Sequence, residues 1–200
     1  YKINRSKTSV IHLGVEQKTF NIKNKKNYLL FVGSRSKYKN FNNLLIAFSK
    51  SLYLKNNYKL IVFGEKKFSE EESFLIKKLK IKEKVFLISG DDTLLKKYYL
   101  SASLFIFPSK YEGFGLPLLE AMRFGCPVAC SKIDVFKEVG GNACFYFNPE
   151  KINSIKYVVE KALKSSSKRK KKIENGFNQI KKFRWDKCAS NTYKEYKKIT

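Results

Sequence analysis

Residues 107–122 read Phe-Pro-Ser-Lys-Tyr-Glu-Gly-Phe-Gly-Leu-Pro-Leu-Leu-Glu-Ala-Met and bring two kinds of chemistry together. Glu112 and Glu120 supply carboxylates, which accept hydrogen bonds from hydroxyls. Between them, Gly113 and Gly115 permit a positive φ and let a ligand approach the main chain closely. Pro117 is placed as a first helical residue, where its missing N–H costs nothing. The N–H groups of Phe114, Gly115 and Leu116 would then be free at the positive end of a helix dipole. Glu120 is expected in the first turn of that helix, so two carboxylates bracket a backbone anion hole. A phosphorylated sugar needs both kinds of group. A second cluster, Arg35 and Lys39 in Gly-Ser-Arg-Ser-Lys-Tyr-Lys-Asn from Gly33, adds two cations at a strand-to-helix turn, a reasonable anion site. With one glycine it is neither a dinucleotide fingerprint nor a P-loop. Taken alone, this second segment reads better as two solvated surface cations.

The elements that must position these residues alternate along the chain. Apolar runs at 28–32, 60–63, 85–88 and 104–107 read as buried strands, followed by shorter ones at 127–130 and 145–147. Helical spacing covers 41–54, with Asn40 as candidate N-cap. Ser69 and Glu72 form a capping box for a helix running to Leu79. Asp91 and Asp92 begin a helix through Tyr99, and a helix covers 117–123. The segment from 149 to 163 is amphipathic, the lysine-rich run 165–172 is a loop or a helix start, and 165–200 holds two basic helices separated near Phe183. This alternation implies βαβ units and an α/β, doubly wound parallel sheet. Such sheets bind ligands beyond the carboxyl ends of their strands, which is where both clusters fall.

The chain has 200 residues and 23.3 kDa, enough for one α/β domain. No apolar run approaches the roughly 18 residues of a membrane-spanning helix. Residues 1–9 are polar and basic and lack the apolar run of a signal peptide, so a reduced cytoplasm is the expected setting. The four cysteines, Cys126, Cys130, Cys144 and Cys188, form no paired C-x-x-C units, and His12 is the only histidine; a zinc pattern is absent. Cys126 and Cys130 read as core thiols, Trp185 and the Tyr98–Tyr99 pair as packing, and His12 as a linker residue. The net charge of +25 sits outside the middle of the chain: residues 151–200 hold 16 basic and 4 acidic side chains, and residues 101–150 hold 4 and 5. It reads first as a solvated lysine-rich face, with a weak preference for anionic lipid headgroups that would bring the chain to the inner face of the membrane.

The 107–122 block, continued by Gly125-Cys126-Pro127-Val128, resembles the C-terminal, donor-binding domain of the family 4 retaining nucleotide-sugar glycosyltransferases (glycosyl transferases group 1). That family's signature is two glutamates separated by seven residues, matched by Glu112 and Glu120. The segment 10–16, Val-Ile-His-Leu-Gly-Val-Glu, looks like its interdomain segment, with Leu13 in place of a usual Asn. Phe31-Val32-Gly33 with Lys39 resembles its phosphate-binding turn, though Ser34 stands where an Arg usually follows the glycine. Residues 183–196 resemble its terminal helix. The resemblance implies the C-terminal half of a two-Rossmann-domain fold, with residues 1–22 as linker, 23–165 as a Rossmann-like nucleotide-sugar-binding domain and 166–200 as a helical extension.

It further implies that Glu112 contacts donor-sugar hydroxyls, orienting the sugar rather than attacking it, and that Glu120 holds the ribose. Main-chain groups around Gly113, Phe114, Gly115 and Leu116 would contact sugar and diphosphate. Arg35 and Lys39 would neutralise the diphosphate in place of a metal, so no cofactor is expected; no Asp-x-Asp occurs. The base would sit at 87–93. Transfer would be retaining, by front-side attack, to a glycan or lipid-linked acceptor held by an N-terminal domain that this chain does not include, and the chain by itself would turn over poorly. Two other readings compete: a non-catalytic sugar-nucleotide or carbohydrate-binding module, and a polyanion-binding protein. The neutral middle of the chain argues against the second of these, and no nucleic-acid partner is expected.

Overall fold

Successive residues of strand β1 (Lys26–Val32) enter opposite cores, and that alternation organises the computed structural model, which describes residues 8–20, 25–65 and 67–198. Tyr28, Leu30 and Val32 join one buried cluster; Leu29 and Phe31 join the other. In β4 (Ala102–Phe107) the split is repeated by Phe105 and Phe107 against Leu104 and Ile106. Strands apolar on both faces must be covered on both sides. With β2 (Lys59–Phe63), β3 (Val85–Ile88), β5 (Val128–Ser131) and β6 (Cys144–Phe147) they form a six-stranded parallel sheet in the order β3-β2-β1-β4-β5-β6.

Helices α1 (Phe41–Ser49), α2 (Leu52–Asn57), α3 (Glu70–Lys78) and α7 (Ile152–Lys164) cover one face. The other is covered by α4 (Asp92–Ser101), α5 (Leu116–Arg123), α6 (Asp134–Gly140) and the end of α8 (Ser166–Ile180). A final helix, α9 (Trp185–Tyr196), buries none of its residues. The fold is the expected doubly wound α/β sheet. Its winding reverses between β1 and β4, so the loops that leave their carboxyl ends diverge and leave a crevice.

Several local expectations change in the folded chain. The helix expected over 41–54 breaks in two, because the Ser51 hydroxyl accepts from the Leu54 N–H (3.0 Å) and starts α2. Asn40 does not cap α1 with its side chain; it adopts φ 60°, and its amide donates instead to the carbonyls of Pro108 (3.1 Å) and Pro149 (2.8 Å). The capping box at Ser69 and Glu72 is present. Helix α6 was not expected, the 127–130 strand runs one residue later, and Trp185 is 52% exposed rather than packed. Cys126 and Cys130 are buried, as core thiols should be.

Of the 1–22 segment, residues 1–7, 21 and 22 lie outside the described residues. The described part runs beside the α8–α9 junction: Val15 N–H donates to Phe183 O (3.0 Å), and the Gln17 amide donates to Val15 O, Ile180 O and Phe183 O. A Cβ on Gly14 would lie 2.3 Å from the Trp185 nitrogen, so the two segments cross at a point only glycine fits.

Asn40 supplies the stability test of this architecture. Asn40→Gly removes both carbonyl contacts and should cost about 1–3 kcal/mol in urea denaturation. Asn40→Ala adds the left-handed penalty and should cost about 1 kcal/mol more. An alanine variant as stable as the parent would show that the junction is not held by this side chain.

Candidate functional site

The β1–α1 loop and the β4–α5 loop meet at the crevice. Lys110 N–H donates to Tyr38 O (2.8 Å), and Asn40 reaches Pro108 O from the same side. Between these two tethers Lys39 extends to Glu112, Nζ to Oε1 at 2.6 Å, with both side chains mostly buried (14% and 13% exposed). The Lys39 ammonium also lies 5.3 Å from the Phe107 ring centroid. A desolvated pair of this kind is held firmly, and the ammonium keeps two further donors for another anion.

Beyond Glu112 the chain turns into α5. Gly115 takes φ 103°, and a Cβ there would lie 3.0 Å from Phe136 Cε1. Backbone strain and contact both demand glycine. Gly113 does not use a positive φ, and a Cβ there would meet open space. The N–H groups of Phe114, Gly115 and Leu116 find no acceptor among the described residues. They stand at the N-terminus of α5, where Leu116 is the first helical residue and Pro117, expected to be the first, is the second. Unpaired donors at the positive end of a dipole suit an anion.

Glu120 lies in the second turn of α5, not the first. Its Oε2 accepts from the Tyr99 hydroxyl (3.2 Å), and it lines a cleft of about 440 Å³ together with Asp92, Thr93, Lys96 and Arg123. Burial raises the Glu120 pKa; the Tyr99 hydrogen bond opposes this, and the nearby Asp92 charge adds to it. Glu16 of the 8–20 segment pairs with Arg123 and forms part of the same wall. Glu112 therefore reaches the β1 side of the crevice and Glu120 reaches α4, with the glycine turn between them in the chain.

Arg35 stands apart from this arrangement. Its side chain is 2% exposed, with Nε bonded to Glu72 (2.9 Å), Nη2 near Glu65 (3.3 Å) and to Lys67 O, and the guanidinium over the Phe68 ring. Glu72 accepts at the same time from the Ser69 N–H. Arg35 thus ties the β1–α1 loop to the start of α3. Other side chains join the site in the folded chain. Tyr99 bonds a site carboxylate as well as packing. Asp92 and Lys96 share the cleft wall at an i, i+4 spacing that was legible in the sequence. His12 bonds Glu138 (2.6 Å), its ring centroid 5.9 Å from that of Phe114 on the glycine turn. Among the described residues no three His, Cys, Asp or Glu side chains converge as a metal site requires.

Comparison with known proteins places this geometry in context. The model of the family described as glycosyl transferases group 1 matches residues 15–179. The O-antigen chain mannosyltransferase B of Escherichia coli is 32% identical over 173 residues, 85% of this chain and 45% of that protein. The O-antigen chain mannosyltransferase RfbU of Salmonella typhimurium is 34% identical over 152 residues, 75% of this chain and 42% of that protein. The chain thus spans under half the length of either relative. Among solved structures, the sucrose-phosphate synthase of Thermosynechococcus elongatus superposes with a TM-score of 0.81 at 20% identity, over 94% of this chain and 51% of that one.

The carboxylate network is testable by NMR titration of the Glu120 carboxyl. Asp92→Asn should lower its pKa, and Tyr99→Phe should raise it further. Because the folded pKa is raised, the stability Glu120 contributes is present in its acid form and is lost as pH rises through that value. Asp92→Asn should lessen that loss. A Glu120 pKa unmoved by both substitutions would refute the network.

Proposed function

The chain belongs to the glycosyl transferases group 1 family, and we propose that it forms the half of a transferase that binds a nucleotide-sugar donor. What supports this reading is one arrangement: the Lys39–Glu112 pair beside the unpaired 114–116 N–H groups, with the Glu120 cleft adjoining. The nucleoside enters the cleft, where Glu120 accepts from the ribose hydroxyls. The diphosphate lies at the N-terminus of α5 and shares Lys39. Glu112 accepts from hydroxyls of the sugar and orients it. Arg35 acts at one remove, by fixing the loop that carries Lys39. The mannosyltransferase relatives make a mannosyl donor the first choice, and a surface glycan or its lipid-linked precursor the acceptor. The acceptor is held by a second domain outside this chain, and the charged, water-soluble donor is drawn from the cytoplasm.

Breaking the sugar–phosphate bond leaves negative charge on the departing diphosphate and positive charge on the sugar. Lys39 and the fixed N–H donors stabilise that charge as it develops; one such donor is worth about 3–4 kcal/mol in the transition state. No protein carboxylate is assigned as nucleophile. Retention then follows from attack on the face the diphosphate leaves, with its oxygen taking the acceptor proton. Lys39 and the α5 dipole supply the neutralisation that a metal would otherwise provide.

Calorimetric titration of the chain with GDP, UDP, ADP, CDP and the matching sugar nucleotides, in EDTA at about 0.3 M salt to screen diffuse attraction, tests this. One nucleotide should bind selectively. Lys39→Ala and Glu120→Ala should each weaken it about 10–100-fold. Glu112→Ala frees Lys39, so the bare diphosphate should bind at least as tightly while the preference for the sugar nucleotide falls. Weak, equal binding of all four nucleotides would contradict the donor-site reading.

A further inference from the structure

The end of the sheet opposite the crevice carries a second surface, independent of the donor site. Helix α7 leaves the carboxyl end of β6, so its last turn reaches the amino end of the sheet, and α2 leads into the start of β2 at the same end. The two helices are joined there. The Ser51 hydroxyl donates to Glu160, and Lys164 lies over the Tyr53 ring (4.8 Å). Around this joint stand Lys50, Lys55, Lys161 and Lys164, with Leu52 72% exposed and Tyr157 60% exposed. Lys161 lies over the Tyr157 ring (5.4 Å). Glu160 is the one acid at the joint, and it is already engaged by Ser51 and by Lys164 (4.0 Å).

The lysines continue along α8. Lys168, Lys171 and Lys172 share one face and line a cleft of about 380 Å³ with Phe145, Asn142 and Asn175. The cleft lining holds no acidic residue; Glu174 lies outside it. Burial lowers the Lys172 pKa, and its ammonium donates to Asn142 O (2.8 Å). Lys168 and Lys171 remain exposed.

We propose that this α2–α7–α8 surface docks on an anionic phospholipid bilayer. Charge alone would fit any polyanion; the apolar groups select among them. Leu52 and Tyr157 stand exposed among lysines on adjoining helices, an arrangement that lets apolar tips enter the headgroup layer while ammonium groups stay with the phosphates. Lysines near an anionic leaflet add their attractions roughly one by one, and the α8 cleft offers three of them to one headgroup. The one arginine of the patch is partly committed to the fold: Arg169 Nη1 donates to the carbonyls of Ala162 and Leu163 and closes the end of α7. A nucleic-acid surface would present free guanidinium groups and stacking faces in a groove. Docked in this way, the chain turns its donor loops toward the aqueous side, where a charged nucleotide arrives.

Vesicle co-sedimentation tests the proposal, with phosphatidylcholine alone and with about 30% phosphatidylglycerol, the fraction setting the surface potential that lysines sense. The chain should sediment with the anionic vesicles only. Lys161→Glu with Lys168→Glu should reduce partitioning by at least about 30-fold, with an unchanged thermal melt. The pair Lys187→Glu with Lys194→Glu, on α9 and outside this surface, makes the same change in net charge and should have little effect. Leu52→Ser should weaken vesicle binding several-fold and leave duplex-DNA binding unchanged. Equal loss from the α9 pair would reduce the effect to net charge and overturn the proposal. So would binding to neutral vesicles, or tighter binding to duplex DNA than to the anionic bilayer.

Discussion

The side-chain amide of Asn40 holds three strand ends together. It sits after β1 and donates to carbonyls that follow β4 and β6. In a doubly wound sheet the loops at the switch point diverge, and diverging loops cannot present a fixed set of groups to a ligand. Asn40, with the Lys110–Tyr38 backbone bond, pulls two of them into register. Lys39, the residue just before it, is thereby aimed at Glu112. Placing an Asn at φ 60° costs less than placing most residues there, because its short amide tolerates the left-handed region.

Electrostatics then divides the crevice. The Lys39–Glu112 pair is nearly neutral until a ligand arrives, and its ammonium can be shared without being dragged from solvent. The turn at 113–116 offers donors whose direction is fixed by the Gly115 conformation and by Pro117. Glu120 is held at a raised pKa by burial, so accepting hydrogen bonds from a diol would favour its ionised form. Arg35 lies outside this division. Two glutamates and a carbonyl engage its guanidinium, a buried cation that must be paired or else destabilise the fold.

The 107–122 block was legible because its residue identities constrain backbone and chemistry at once: Gly115 must turn, Pro117 must start a helix, and the glutamates flank both. The strand at 85–88 and the capping box were legible for the same local reason. What escaped depends on partners far away in the chain. Asn40 looked like an N-cap, yet the carbonyls it bonds are 68 and 109 residues distant. Arg35 looked like a free cation until the loop after β2 brought up Glu65 and Glu72. His12 read as a plain linker residue, but its carboxylate partner lies 126 residues on. Helix α6 is short and offers little periodicity to detect.

The charge pattern also follows from the winding. All crossover helices run antiparallel to the strands, so acids that complement their N-termini, such as Glu70, Glu71, Asp92 and Asp134, gather at the crevice end, and lysines that complement their C-termini, such as Lys77, Lys161 and Lys164, gather at the other. At the crevice end the anion must therefore be held by the glycine turn and Lys39 rather than by the bulk of the +25 charge. An NMR titration of the amide-labelled chain with the nucleoside diphosphate it binds examines that point directly. The account requires the amides of Phe114, Gly115 and Leu116 to move together and saturate at the lowest concentrations. Shifts spread over the lysines of α7 and α8, with those three amides unmoved, would contradict it.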